Sequence, residues 1–250
     1  KDQSPTYKFI NNLINIHSIY TTFVQVTATA NALFCIPDND PLSPKYVSLS
    51  RRSKKYIGIH TYFKDIDTIN RYVKNISDVD IPEEGDGQTI MPDALRESLN
   101  YFIVAVAISK FKKLKAPFTY LCHPDSSTKE HERYRDWIND YFQYLNKVLL
   151  LDESKLLKEI GTSKLLDNIN SEFGYPTLNE WRDIQIEILK IIEKYPRISI
   201  INKDNKVSEI KGFWAQSRVH IIIGAMSIER GFTVEGLMVT YLSRNPGKNA

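Results

Sequence analysis

An open, largely parallel α/β sheet is the fold class the sequence predicts, and three observations predict it. Val219 to Ile223 is a continuous apolar run, the pattern of a strand covered on both faces, and Leu237 to Leu242 is another apolar strand. Stretches from Pro92, from Ser127 and from Thr177 carry apolar residues at helical spacing. The order strand, helix, helix, strand, strand, strand, with long connections, suits parallel pairing.

From the start of the chain, Phe9, Ile10, Leu13, Ile16 and Ile19 predict a helix over 7–20. Thr22 to Val26 is β-rich and leads into Thr27-Ala28-Thr29, with a short helix expected at Asn31 to Phe34. Prolines and Asx residues make Pro37 to Pro44 a loop. Tyr46 to Leu49 reads as a strand, and Glu83 to Gly87 as a solvated turn. Pro92 suits a first helical turn, and Leu95, Leu99, Phe102, Ile103, Val106 and Phe111 line one face after it. Phe118 to Cys122 is a buried strand. Ser127 and Glu130 have capping-box spacing ahead of a helix that buries Tyr134, Trp137, Ile138, Tyr141, Leu145 and Val148. Residues 151–176 form a helical insertion. A second capping box, Thr177 to Glu180, opens a helix with Trp181, Ile184, Ile188, Ile191 and Ile192 on one face. Ile198 to Ile201 is a strand, and 202–217 a polar loop carrying Trp214.

Composition sets limits. Of 250 residues, 42% are hydrophobic and 25% charged, as in an ordinary globular protein able to bury a core without staples. A net charge of +3 does not by itself argue for a polyanionic partner. Local basic clusters are few: Arg51 to Lys55 and Lys110 to Lys115. Two distant cysteines, Cys35 and Cys122, fit free thiols and a cytoplasmic location rather than a disulfide framework. The longest apolar run, Tyr101 to Ile108, is too short for a membrane span, and no secretory leader is expected. The chain starts without Met and stops in a turn after a strand-like run, so it is expected to be an excised fragment.

Ligands of open parallel sheets gather beyond the carboxyl ends of the strands. Three loops fall there. Thr27-Ala28-Thr29 offers two hydroxyls. His123-Pro124-Asp125-Ser126-Ser127 runs into a helix N-terminus, a natural anion site. Gly224 to Thr233 combines small residues with Arg230, which can engage a phosphate bidentately. Each loop also reads as a plain connection between core elements.

Together the loops resemble the third, fourth and fifth motifs of superfamily-two helicases. They are most similar to the Z-one domain family, a helicase-associated region of bacterial restriction and phage-defence proteins that also carries an endonuclease description. The residues concerned are Thr27-Ala28-Thr29-Ala30-Asn31, Tyr56-Ile57-Gly58, Leu121-Cys122-His123-Pro124, and Gly224 through Leu237 with Ser227, Arg230, Gly231, Thr233, Glu235 and Gly236 in place. Ala30 stands where the family often has proline.

The resemblance implies two RecA-like (P-loop NTPase-like) lobes closing on ATP and DNA. Residues 1–36 would be the last strand of a first lobe. Residues 37–115, with the 92–114 helix, would be a linking region, and 116–250 a second RecA-like lobe. It further implies that Thr27, Ala28 and Thr29 couple the lobes and that Arg230 and Gly231 sense nucleotide. His123, Ser126, Ser127, Ser227, Arg230 and Thr233 would contact nucleic acid. ATP and Mg²⁺ would serve the full-length protein, with none expected on this chain. The implied partners are DNA and other subunits of a restriction or defence system, and no membrane. No Gly-Xaa-Xaa-Xaa-Xaa-Gly-Lys-Ser/Thr loop occurs in the sequence. The acidic metal motif is expected before Lys1 and the arginine motif after Ala250.

Other signals are weaker. Leu149 to Ser154 mimics an acidic metal motif but reads as a helix end. Asp204, Glu209 and Lys211, or His123, Asp125 and His131, are the best acidic or metal sets for a nuclease, and no zinc-ligand spacing occurs. Two alternatives to a motor are therefore a protein-interaction scaffold and a metal-dependent endonuclease.

Overall fold

A computed structural model of the chain describes residues 4–16, 22–27, 34–51, 53–54, 57–82, 87–124, 127–161, 178–201, 217–224 and 233–243. They fall into two compact units, Lys1–Thr61 and Tyr62–Ala250.

In the first unit, helix α1 (Pro5–Ile16) begins where Ser4 Oγ accepts from the Tyr7 amide at 3.2 Å. Its apolar residues Phe9, Leu13 and Ile16 are all exposed. The expected loop at 37–44 is present. Asp40 organises it, accepting from the Leu42 amide at 2.8 Å and from the Tyr7 hydroxyl at 3.1 Å. Two expected strands are absent. Residues 22–27 and 46–49 are irregular, and Val24, Val26, Tyr46 and Leu49 lie exposed. β-Propensity describes a fit to a pleated, half-buried surface, and neither segment has one among the described residues. The expected helix at 31–34 lies mostly outside the described residues.

A single turn, α2 (Ile59–Tyr62), precedes α3 (Ile66–Tyr72), which Asp65 caps through the Thr68 amide at 2.8 Å. The second unit is built on α4 (Asp93–Phe111), β1 (Phe118–His123), α5 (Thr128–Leu151), α6 (Glu153–Ile160), α7 (Leu178–Lys194), β2 (Arg197–Ile201), β3 (Val219–Gly224) and β4 (Leu237–Leu242). The four strands form one sheet in the order β2-β3-β1-β4, and every pairing is parallel. This is the predicted α/β class, compatible with a RecA-like lobe. β1 and β3 are buried along their whole length, as their unbroken apolar character requires.

Side-chain alternation divides the sheet. Phe118, Tyr120 and Cys122 of β1 share a face with Val219, Ile221 and Ile223 of β3 and with Tyr241 of β4, and this face packs in one core with α4, α5, α6 and α7. Tyr120 illustrates the fit: its ring meets Phe102 edge-on at 5.5 Å, and its hydroxyl shares a 2.7 Å hydrogen bond with Ser98. Burying each such side chain contributes about 1.5–3 kcal/mol. Helix α4 carries more than a stripe, because Val104, Ala105 and Ala107 are buried beside the predicted face. The Tyr141 hydroxyl donates to Asn100 at 2.6 Å, locking α5 to α4. The Leu149–Ser154 signal is a helix junction, where Asp152 ends α5 and caps α6 through the Lys155 amide at 3.0 Å. The insertion beyond Gly161, through residue 177, lies outside the described residues, as does the 202–216 loop.

Candidate functional site

Parallel strands bring their carboxyl ends to one edge, where β1 ends at His123, β3 at Gly224 and β4 at Leu242. β1 sits between β3 and β4, so the loops that follow His123 and Gly224 leave neighbouring strands. His123 is buried, and alternation puts it with Thr119 and Leu121 on the face away from the α4–α7 core. Ser127 is the N-cap residue of α5, with φ −70° and ψ 131°.

The predicted capping box does not form there. Ser127 makes no side-chain cap bond. Glu130 turns instead to Arg133, 2.6 Å away, and the pair is only 8% and 17% exposed. A carboxylate this buried gains more from a guanidinium than from a backbone amide. The Arg133 guanidinium also lies 4.9 Å from the centre of the Trp137 ring. Trp137 is fixed in turn by donating its Nε1 proton to the Thr89 carbonyl at 3.0 Å. One turn of helix thus holds a neutralised arginine stacked on an anchored tryptophan.

The same helix reaches the end of β4. The Tyr134 hydroxyl is 2.9 Å from Ser243 Oγ, and its ring lies 5.1 Å from Trp137. Burial pushes the Tyr134 hydroxyl pKa up to about 12, so it acts as a neutral hydrogen-bonding group. Burial likewise pushes the Cys122 thiol up, leaving it a core side chain rather than a nucleophile. Helical spacing alone assigns Tyr134 and Trp137 to the core. The missed signal was Glu130, Arg133 and Trp137 at steps of three and four, one face of a helix.

The expected site residues divide as follows. His123 and Ser127 lie together at the carboxyl edge. Thr233 is exposed and lies three residues before Gly236, whose carbonyl accepts from the Thr119 amide at 2.8 Å near the start of β1. β3 ends at Gly224 and β4 begins at Leu237, so the Gly224–Leu237 block connects the carboxyl edge to the amino edge. Thr27 is exposed in the first unit. Ala28, Thr29, Ser126, Ser227, Arg230 and Gly231 lie outside the described residues, as do Asp125, Asp204, Glu209 and Lys211. Among the described residues no group of three or more His, Cys, Asp or Glu side chains could hold a metal ion. No described helix is long and apolar enough to cross a membrane.

One half of the Gly224–Leu237 block has a structural cause. Gly236 has φ 63°, and a β-carbon there would collide with the Pro117 carbonyl. The Thr119 hydroxyl donates to the Glu235 carbonyl at 2.7 Å. Glu235-Gly236-Leu237 is thereby the hinge that seats β4 beside β1.

An all-parallel sheet packed on one face by α4 to α7, with a glycine-dependent return into its edge strand, defines an α/β protein. The chain belongs to the Z1 domain family, which matches residues 94–249. The match takes in all four strands and the whole Gly224–Leu237 block, while Thr27-Ala28-Thr29 and Tyr56-Ile57-Gly58 precede it. Comparison with curated proteins and with solved structures gave no match.

Proposed function

We propose that this chain is the coupling and DNA-contact part of a superfamily-two helicase-like ATPase acting in a bacterial restriction or phage-defence system. The observation that carries the reading is the Gly224–Gly236 block. It leaves the carboxyl end of an interior parallel strand beside β1, whose own end leads into the α5 N-terminus. In an open α/β sheet that is where ligands bind.

In this reading Arg230, Ser227 and Thr233 contact backbone phosphates, and Arg230 with Gly231 senses nucleotide. His123, Ser126 and Ser127 contact the same nucleic acid. Thr27, Ala28 and Thr29 couple the lobes. ATP and Mg²⁺ are cofactors of the complete motor, with DNA and other subunits of the defence system as partners. This chain's residues do not fit a complete ATP site. The sequence has no phosphate-binding Gly-Lys-Ser/Thr loop, and the described residues offer no acidic metal cluster. No hydrolytic step is therefore assigned to them.

The test is a titration of labelled duplex DNA with the purified 250-residue chain at increasing salt, alongside an ATPase assay. The expected result is DNA binding that weakens steeply with salt, because phosphate contacts release counterions, without nucleotide-saturable hydrolysis. Absence of DNA binding would refute the DNA-contact role. Saturable hydrolysis would refute the assignment of ATP chemistry elsewhere.

A further inference from the structure

The amino edge of the sheet, where β1, β2 and β3 begin, gathers cations. Helices α4 and α7 each hand the chain to a strand through a short connection, so the ends of both helices meet the beginnings of β1 and β2. Lys110, Lys112, Lys113 and Lys115 lie at the end of α4 and in the turn to β1. Lys190 and Lys194 close α7. Arg197 opens β2, and Arg218 directly precedes β3.

Two contacts tie these segments together. The Phe118 amide donates to the Arg218 carbonyl at 2.9 Å, and Arg197 pairs with His220 in the β2–β3 register. The Lys110 ammonium is held below its usual pKa by burial. Glu187 opposes that shift, while Lys194, Arg218 and Lys190 add to it. Cations from separate elements therefore share one field. Among the described residues of these segments and the β4 start, the carboxylates are Glu187, Glu193 and Glu235, and Glu187 is already bridged to Lys190 at 2.7 Å.

Lys113 adds an observation about the backbone. Helix α4 ends with the Leu114 amide bonded to the Ser109 carbonyl and the Lys113 amide to the Lys110 carbonyl, both at 2.9 Å. Lys113 itself has φ 55°. This closing motif takes glycine at that position, and a residue with a β-carbon costs about 1–2 kcal/mol there. The Lys113 side chain is exposed.

We propose that this amino-edge surface binds the sugar-phosphate backbone of duplex DNA, through residues other than Arg230. The proposal takes from the reading above only that DNA is the ligand. Adjacent strands lie about 4.8 Å apart. The neighbouring strands β2, β3 and β1 thus begin at Arg197, directly after Arg218 and shortly after Lys115, so each of three adjacent strands starts with a cation. An extended polyanion matches a row of cations better than a compact anion does. Lysines on a turn, without a groove-entering element, suit backbone contact rather than base reading.

The experiment compares duplex binding by the wild-type chain, by Lys112→Glu/Lys113→Glu/Lys115→Glu, by Arg230→Ala, and by Lys64→Glu/Lys74→Glu/Lys155→Glu. The last variant makes the same charge change at exposed positions elsewhere. Anisotropy is read between about 50 and 200 mM salt, with thermal melting to establish folding. The amino-edge reversal is expected to weaken binding about tenfold or more and to reduce the log affinity–log salt slope by about 2–3. The control reversal should hold affinity within about twofold, since distant exposed charges are screened. Should the triple variant not fold, Lys194→Glu/Arg218→Gln takes its place with the same expectation.

Equal losses in the edge and control variants would overturn the proposal in favour of bulk charge. An unaffected edge variant beside a weakened Arg230→Ala would overturn it while leaving the loop reading intact. No duplex binding by the wild-type chain would overturn both. Binding of anionic phosphatidylserine vesicles in place of duplex would overturn it in favour of a lipid surface.

Discussion

Thr119 holds Gly236 through the two peptide units that flank it. Its amide donates to the Gly236 carbonyl at 2.8 Å, and its hydroxyl donates to the Glu235 carbonyl at 2.7 Å. β4 enters the sheet through this clasp, immediately below a register shift between Thr119 and Tyr120. Because Gly236 has φ 63° and lies against the Pro117 carbonyl, its lack of a side chain is a requirement of the fold. Gly236→Ala should cost about 2–4 kcal/mol, from the left-handed backbone and the overpacking together. A urea midpoint unchanged from wild type would show that the clasp does not seat β4 as described.

Lys113 occupies the left-handed position that ends α4. Lys113→Gly should raise stability by about 1 kcal/mol in thermal or urea melts, because glycine carries no β-carbon penalty there. A loss of stability would mean that the lysine side chain contributes contacts to the fold.

His220 predicts a pH dependence with a definite sign. Burial lowers its imidazole pKa, the bond from Nε2 to the Ser217 carbonyl at 2.8 Å opposes the shift, and the Arg197 charge adds to it. The folded pKa thus lies below the unfolded value of about 6.5. Between the two, the unfolded chain binds more protons. The His220 contribution is complete above about pH 6.5 and is lost as pH falls through the folded pKa. His220→Gln should flatten this part of the stability–pH curve. An identical slope in the variant would assign the dependence to another group.

The two cysteines should differ in reactivity. Cys35 is exposed, whereas Cys122 is buried with its thiol pushed up by burial. A thiol reagent should modify one cysteine per native chain quickly and the second only on denaturation. Rapid labelling of both would contradict the burial of β1.

Much of the second unit was legible because its signals are local. The run at 219–223 needed only its composition to mark a strand buried on both faces, the run at 237–242 marked a strand that lies at the sheet edge with only Tyr241 buried, and Pro92 with the Leu95–Phe111 spacing marked α4. What failed depended on partners distant in sequence. Thr22–Val26 is β-rich but has no neighbouring strand in the described residues. Ser127 and Glu130 had the spacing of a cap, yet Arg133, one turn on, captured the carboxylate. At the site, His123 and Gly236 were legible as residues, but the reasons for them lie elsewhere. His123 ends an interior strand, and Gly236 abuts Pro117, which is more than a hundred residues away in sequence. The Tyr134–Ser243 bond spans 109 residues and had no sequence signal.

The central claim is that the Arg230 segment between β3 and β4 contacts nucleic-acid phosphate. Its most direct test is the slope of log affinity against log salt for duplex DNA, measured on the wild-type chain and on Arg230→Ala. The account predicts uniformly weaker binding across DNA sequences and a slope reduced by about 1 in the variant. Wild-type affinity and slope in Arg230→Ala would contradict it.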